Sequence, residues 1–334
     1  MKNETPVFYL PPGNGGAVDG EDVERLAGRL AEDLPDSRSP SVSWIVRPWQ
    51  ALVRRGMPVR LSGVIPPEGV IVAARGDLPW HLRPSPRQLF VCARADAGPH
   101  PWAQLELVQN PAQARPAGRR LFVPHWPQPG LRVRDAARGA RFERIGFLGD
   151  RANLAPELAS PEWPRLLARE GLEWILRQKG RHDLGDYGDL DAVIAIRDFA
   201  GMPHDYKPAS KLVNAWLAGV PAIVGPESAF LAAGRPGEDF LLAESVESTL
   251  AALRALRDSP GLRARLVENG RQRAMSFNED SVLAVWTDVL YDKAPKMLAE
   301  WRALSAPARR AWFLRRWFRL RLDGAASRIR KTTT

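Results

Sequence analysis

Short apolar runs punctuate the chain at intervals, each too brief to be a helix of its own. Residues 7–10, 42–46, 70–74, 89–93, 105–109 and 121–124 each read as a buried strand, with longer mixed segments between them. Continuous apolar runs of this length suit strands covered on both faces, and their alternation with helical stretches predicts a parallel sheet layered with helices. Residues 130–141 are polar and basic with two glycines, and read as a linker. The rhythm then restarts. Runs at 145–148, 172–176, 192–196 and 221–224 predict a second set of strands, three of them ending at Gly149, Arg197 and Gly225. Leu250, Leu253 and Leu256 keep helical spacing, and Pro260 opens a further helix through Leu262, Leu266 and Val267. The pattern predicts two similar-sized α/β halves with a helical C-terminus.

At 334 residues the chain has room for two domains of about 150 residues each. Its net charge of +10 is unevenly placed: residues 301–334 hold ten basic side chains against one acid, Asp323, leaving +1 for the other 300. A nucleic-acid enzyme needs a basic surface on its folded body, so no nucleic-acid partner is expected. Forty-five per cent apolar and 26% charged residues place the chain among globular proteins. No apolar run nears the ~18 residues that span a bilayer, and residues 1–6 lack a signal-peptide core, so a cytoplasmic protein is expected. The single cysteine, Cys92, excludes an internal disulfide and a Cys-rich zinc site.

The stretch 207–239, KPASKLVNAWLAGVPAIVGPESAFLAAGRPGED, followed by two helices over 248–277 that end in ENGRQRAMSF, resembles the donor-binding half of GT-B glycosyltransferases, especially family 4. In that family a helix ending in Ala-x-Gly-x-Pro feeds a buried strand; here the residues are Ala218, Gly219, Val220 and Pro221. The resemblance covers roughly 144–286 well and the first half in outline. It implies two Rossmann-like domains facing a cleft: an acceptor domain over 1–138, a nucleotide-sugar donor domain over 139–300, and a basic amphipathic helix and tail over 301–334. Family 4 carries two glutamates flanking seven residues, where this chain has Tyr206 and Asn214. The segment is also similar to the donor motif of fucosyltransferases through Tyr206, Lys211, Asn214, Ala215, Gly219, Pro221 and Gly225, although Ser210 stands where that family has Glu.

The implied activity is metal-independent transfer of a sugar from a nucleotide-diphosphate donor to a glycan or lipid-linked glycan. No cofactor is implied beyond that substrate. A GT-B-fold sugar-nucleotide epimerase and a catalytically silent nucleotide-sugar-binding scaffold are the alternatives. Breaking the glycosyl bond concentrates negative charge on phosphate oxygens, which positive groups must meet. Lys207 and Lys211, four apart at a helix N-terminus, with Arg151 beyond Gly149 and Arg197 at a strand end, are the candidate cations. Each also reads as a solvated surface charge. Asn214 suits a ribose hydroxyl or a buried polar contact, and Glu227 a ribose or a helix N-terminus.

In the first half, Gly13, Gly15 and Gly16 in Pro12-Gly13-Asn14-Gly15-Gly16 suit a phosphate or acceptor loop, or a plain turn. Asp96 and His100, after the strand containing Cys92, are the candidate bases for an acceptor proton. His125 reads as packing at a domain junction, and His204 beside Asp205 as a possible donor contact. Asp189 and Asp191 match the Asp-x-Asp of metal-dependent enzymes, but precede their strand instead of following it, so a solvated turn is expected and no metal site.

In the tail, Phe313, Leu314, Trp317, Phe318, Leu320 and Leu322 occupy one helical arc with Arg309, Arg315, Arg316 and Arg319 opposite, while Arg310, Trp312 and Arg321 break the division. Such a helix over 306–331 suits either an anionic membrane surface or packing against the first domain.

Overall fold

The computed structural model describes residues 5–11, 25, 40–115, 117, 119–178 and 182–332, with side chains to residue 322. In the first half, β1 (Val7–Tyr9), β2 (Arg60–Ser62), β3 (Gly69–Ala74), β4 (Gln88–Ala93), β5 (Leu105–Val108) and β6 (Arg120–Phe122) form one sheet in the order β2-β1-β3-β4-β5-β6. Every pairing is parallel. β3 and β4 are buried along their whole length, as a sequence apolar but for Gln88 requires of strands covered on both faces.

The expected strand at 42–46 is a helix. Val42–Val46 forms a π-type turn that runs directly into α1 (Arg47–Arg54). Val42, Ile45 and Val46, spaced at i, i+3 and i+4, are buried beside Trp44 and Leu52. The β-branched residues that suggested a strand therefore cover a sheet instead of joining it. β2, with its half-exposed edge position, was not signalled by an apolar run.

The second half holds β7 (Arg144–Gly149), β8 (Glu173–Gln178), β9 (Ala192–Ala195), β10 (Ala222–Val224) and β11 (Leu241–Leu242), all parallel, in the order β11-β10-β9-β7-β8. The helices around it are α2 (Pro156–Ala159), α3 (Glu162–Arg169), α4 (Ser210–Ala218), α5 (Ser228–Ala233), α6 (Val246–Asp258) and α7 (Pro260–Ala274). Strand order reverses between β7 and β9, which makes the C-terminal ends of those two strands the crevice where open α/β sheets take ligands.

The sequence motifs have local structural reasons. α4 stops because Gly219 adopts left-handed backbone (φ +69°), and Pro221 then leads the chain into β10. Gly270 on α7 lies against Trp216 of α4: a Cβ there would come within 2.3 Å of the indole, so only glycine allows these helices their approach. The neighbouring Asn269 donates to the Glu238 carbonyl at 2.8 Å.

The chain then returns to the first sheet. α8 (Glu279–Asp288), a π-type turn at Val289–Lys293 and α9 (Ala294–Ala303) bury Val282, Trp286, Leu290 and Leu298 in the same core as Phe8, Trp44 and Leu52. Phe8 and Trp286 stack with ring centroids 5.8 Å apart. Residues 279–300 thus belong with the first sheet, not with the unit 139–300 expected from the sequence. The reason is that their apolar stripe fills the first core.

α10 (Ala306–Thr332) begins on the same half. Trp312 is buried and meets Trp301 at 5.2 Å, Phe313 meets Trp102 at 5.6 Å, and the Arg119 guanidinium lies over Trp312. Arg316 donates to the carbonyls of His100 (2.8 Å) and Pro101 (2.9 Å) and to the buried Glu106 carboxylate (2.5 Å). The residues that broke the sequence pattern on the helical wheel include Trp312, which docks here with Phe313 and Arg316.

Candidate functional site

A cleft of about 470 Å³ lies between the halves at the switch point of the second sheet. Its second-half wall carries Gly149, Asp150, Asn153, Tyr187, Arg197, Lys207, Lys211 and Asn214; its first-half wall carries Ser43, Trp44, Asp96, Gln109 and His125. Gly149 ends β7, Arg197 lies two residues past β9, and Lys211 sits in the first turn of α4. Strand ends and a helix N-terminus thus deliver three cations to one wall.

Gly149 holds φ +152°, and a Cβ at that position would meet Lys211 Cε at 3.0 Å and Nζ at 3.3 Å. The lysine stem therefore lies flat over the glycine, with its ammonium 5.4 Å from the Phe147 ring centroid. Burial lowers the Lys211 pKa from 10.5 to about 7, and the positive charges of Arg197 and Lys207 push it the same way. No carboxylate pairs with Lys211 among the described residues. A group arranged in this way takes up a proton when an anion arrives.

Arg197 is buried, and burial brings its guanidinium down to about 10, so it remains charged at neutral pH. Its partner is the Glu227 carboxylate, itself 2% exposed. Arg197 Nε and Glu227 Oε1 have no hydrogen-bond partner among the described residues. Glu227 stands behind Arg197 and does not reach the cleft, which corrects its expected role as a donor contact: the buried guanidinium needs the charge. Asn214 is at the cleft, where its Oδ1 accepts from the Gln128 N–H at 3.2 Å.

Asp96 follows β4 and faces the cleft with its side chain about half exposed. It pairs with Lys207 Nζ at 2.6 Å and accepts from Gln109 Nε2 at 2.6 Å. The residue before it, Ala95, is held in left-handed backbone (φ +48°), as is His204 (φ +45°) three residues before Lys207. Non-glycine residues bear this strain only where the surroundings impose it. Both strained residues flank the Asp96–Lys207 contact.

His100 is not in the cleft. It is fully buried, its Nε2 bonds the Pro79 carbonyl at 3.2 Å, and its Nδ1 accepts from Trp102 N–H at 3.1 Å. Burial lowers its pKa from 6.5 to about 4. With both nitrogens engaged it cannot reach an acceptor hydroxyl. Arg151 also turns away: its guanidinium donates to the Ala159 carbonyl at the end of α2, 2.5 Å away, and does not line the cleft. Gly13, Gly15 and Gly16 lie outside the described residues.

His125 bonds the Trp126 carbonyl at 3.0 Å and stands edge-on to Trp44, at the junction of the halves as expected. His204 pairs with Asp198. Asp191 is not in a solvated turn. It is buried, and although burial alone would raise its pKa, hydrogen bonds from Arg138, from the Glu143 and Arg144 N–H groups and from Arg134 hold it at about 2. Asp189 pairs with Arg144 and Arg177. Asp191 fastens the linker to the second sheet, and Asp189 ties β7 to β8.

Two residues that were not among the candidate site residues join the halves. Gln109 Nε2 donates to the Tyr206 carbonyl at 2.9 Å, and Asn110 Nδ2 to the Lys207 carbonyl at 3.0 Å and Ser228 Oγ at 2.9 Å. Two amides directly after a buried strand were the available signal, because a strand's C-terminal end opens onto the cleft.

No protein-family model matches the chain, and no curated protein matches it in sequence. Solved structures do match in shape. HepE from Anabaena, in complex with UDP and glucose, superposes with a TM-score of 0.50 at 12% identity over 86% of this chain and 99% of that one. Sucrose-phosphate synthase from Thermosynechococcus elongatus gives 0.50 at 13% identity over 89% of this chain and 100% of its own. Against TarM the TM-score is 0.46 at 9% identity; the match takes in 68% of this chain and 56% of TarM, so this chain spans about half of that protein's length. With its two parallel sheets, its cleft at the switch point and its return of the C-terminal helices to the first half, the chain has the GT-B fold of these glycosyltransferases.

Proposed function

We propose that the protein is a glycosyltransferase that takes a sugar from a nucleotide-diphosphate donor and passes it to a glycan or lipid-linked glycan. The observation that carries this reading is the convergence of Arg197, Lys207 and Lys211 at the β7/β9 switch point, beside a glycine that leaves room for the lysine stem. Departure of the nucleotide diphosphate builds negative charge on phosphate oxygens, and fixed cations there are worth most in the transition state. The same cations stand in for a metal ion, so transfer proceeds without one; Asp189 and Asp191 are already committed to arginines.

Asp96, across the cleft, is the group placed to take the acceptor hydroxyl proton. Its carboxylate is paired with Lys207, and a diphosphate that draws Lys207 to itself frees that carboxylate for the acceptor hydroxyl. The silent-scaffold reading has one observation in its favour: Tyr206 and Asn214 replace the two glutamates, and Asn214 is engaged with Gln128.

Titration calorimetry with UDP and with GDP, in the presence of a chelator, tests the donor site. Micromolar to millimolar binding of either nucleotide supports the reading. Binding that requires Mg²⁺ or Mn²⁺ removes metal independence, and binding of neither nucleotide under any condition removes the donor site. Nucleotide binding without turnover of UDP- or GDP-sugars on any glycan leaves the scaffold.

A further inference from the structure

We infer that the C-terminal helix α10 works with two separate faces, one clasping the first domain and the other lying on an anionic bilayer. The clasp consists of Trp312, Phe313 and Arg316, which dock on Trp102, Trp301, Glu106 and the carbonyls of His100 and Pro101. On the helical wheel at 100° per residue, the opposite side carries Leu314, Trp317, Phe318 and Leu322. These are exposed by 60%, 39%, 58% and 70%. Four large apolar side chains on one side of one helix are a surface in need of a partner.

The charges around that surface choose the partner. Residues 306–322 contain six arginines and no acid. Arg316 is spent on Glu106, and Arg309 donates to the Leu304 carbonyl. Arg310, Arg315 and Arg321 make no ion pair among the described residues and lie within or beside the free apolar stripe, whereas Arg319, seven residues after Trp312, lies on the clasp side. The Arg321 guanidinium stacks 4.5 Å over Trp317, whose ring lies 5.0 Å from that of Phe318. An apolar strip with a tryptophan, bordered by arginines and devoid of acids, matches the acyl boundary and phosphate layer of an anionic membrane. A protein partner of matching charge would have to supply an acidic rim around an apolar groove. A second copy of this helix brings arginines against arginines, which opposes self-association through this face.

This division differs from the one the sequence suggested. Phe313 belongs to the clasp, and Arg321, which broke the pattern, belongs to the lipid side. No helix among the described residues is long and apolar enough to cross a membrane, so attachment is to one surface.

The test is co-sedimentation of the full chain with vesicles of phosphatidylcholine alone and of equal parts phosphatidylcholine and phosphatidylglycerol. The expected result is binding to the mixed vesicles only, weakening as salt rises. Each arginine near an anionic surface contributes about fivefold in partitioning, so replacing Arg310, Arg315 and Arg321 together with glutamine should lower binding by about a hundredfold. Replacing Leu314, Phe318 and Leu322 with serine should also release the protein. Neither set should lower the melting temperature, because none of these residues belongs to the clasp, whereas Trp312→Ala should lower it. Wild-type protein that ignores anionic vesicles, or binds neutral ones equally, overturns the inference. So does undiminished sedimentation of the variant that lacks Arg310, Arg315 and Arg321. A dimer in light scattering that the serine variant dissolves, with no vesicle binding, assigns the face to a second copy instead. The readout is independent of sugar transfer, so its failure leaves the donor-site reading standing.

Discussion

Replacing Lys211 with methionine should make the ligand-free protein more stable while weakening its hold on a nucleotide diphosphate. Methionine keeps an unbranched stem over Gly149 but carries no charge. The folded protein lowers the Lys211 pKa from 10.5 to about 7, so between those values the unfolded chain binds the proton and the folded one does not. Stability then rises with pH across that window, and the penalty for holding the ammonium is fully present below about pH 7. At about 1.4 kcal/mol per pKa unit the shift would amount to about 5 kcal/mol. Local relaxation and the partial exposure of the residue reduce this to about 2 kcal/mol. In a unit of this size that gain is roughly 4 to 8 °C of melting temperature. The assay is thermal unfolding of wild type and variant from about pH 6 to about pH 10, where the variant's advantage should shrink as pH rises. UDP affinity measured on the same samples should fall by about 10-fold to 100-fold, the worth of a charge-assisted contact. A variant whose melting temperature matches or trails wild type at neutral pH, with a difference that stays flat across the range, would falsify the claim that Lys211 is held strained for an anion.

Three further outcomes are expected. Gly149→Ala forces a Cβ against Lys211 and a side chain onto φ +152°, so UDP affinity should drop by about 10-fold or more; calorimetry showing unchanged affinity would place the lysine elsewhere. Glu227→Gln leaves a buried guanidinium unpaired and should cost about 3 to 5 kcal/mol, most of which the double variant with Arg197→Met restores; chemical denaturation of wild type, single and double variant checks this, and equal stability of single and double variants would break the pairing argument. Asp96→Asn should lower turnover by about 100-fold to 10,000-fold while UDP affinity holds or improves, since Lys207 is no longer shared; a parallel loss of affinity would make Asp96 a structural residue.

What was legible in the sequence follows from what burial dictates. β3 and β9 are apolar throughout, and β4, β5 and β7 are apolar but for Gln88, Glu106 and Arg144, because helices and neighbouring strands close both faces, and that composition needs no partner to be read. β2 and β11 are short, half-exposed edge strands whose pairing is decided by their neighbours. Residues 42–46 satisfy the strand pattern and the helical one equally, and packing on the sheet settled it. Among site residues, Gly149, Arg197, Lys207 and Lys211 were found because strand ends and a helix N-terminus fix the direction in which the backbone delivers them. Arg151 and His100 have the same sequence credentials, yet one guanidinium reaches a helix-end carbonyl and one imidazole is enclosed by loops. Side-chain direction beyond the first bond out of a strand end depends on neighbours distant in sequence, as with Gln109 and Asn110 reaching residues near 206 and 228.

Because α8 and α9 complete the core around Phe8 and Trp44, the second Rossmann unit is an insertion within the first. On the ribosome the six strands of the first sheet are all made by Phe122, but Trp286 and Leu290 emerge about 160 residues later. At about 5 to 20 residues per second, that is a wait of roughly 10 to 30 s. During this interval one side of the sheet shows its apolar face while the inserted unit is free to fold around its own core. The order of synthesis thus runs against the order of assembly: the half that is translated first is sealed last. A chain cut anywhere between the sheets would lack its closing helices, and it would be expected to aggregate through the uncovered face around Phe8 and Leu52.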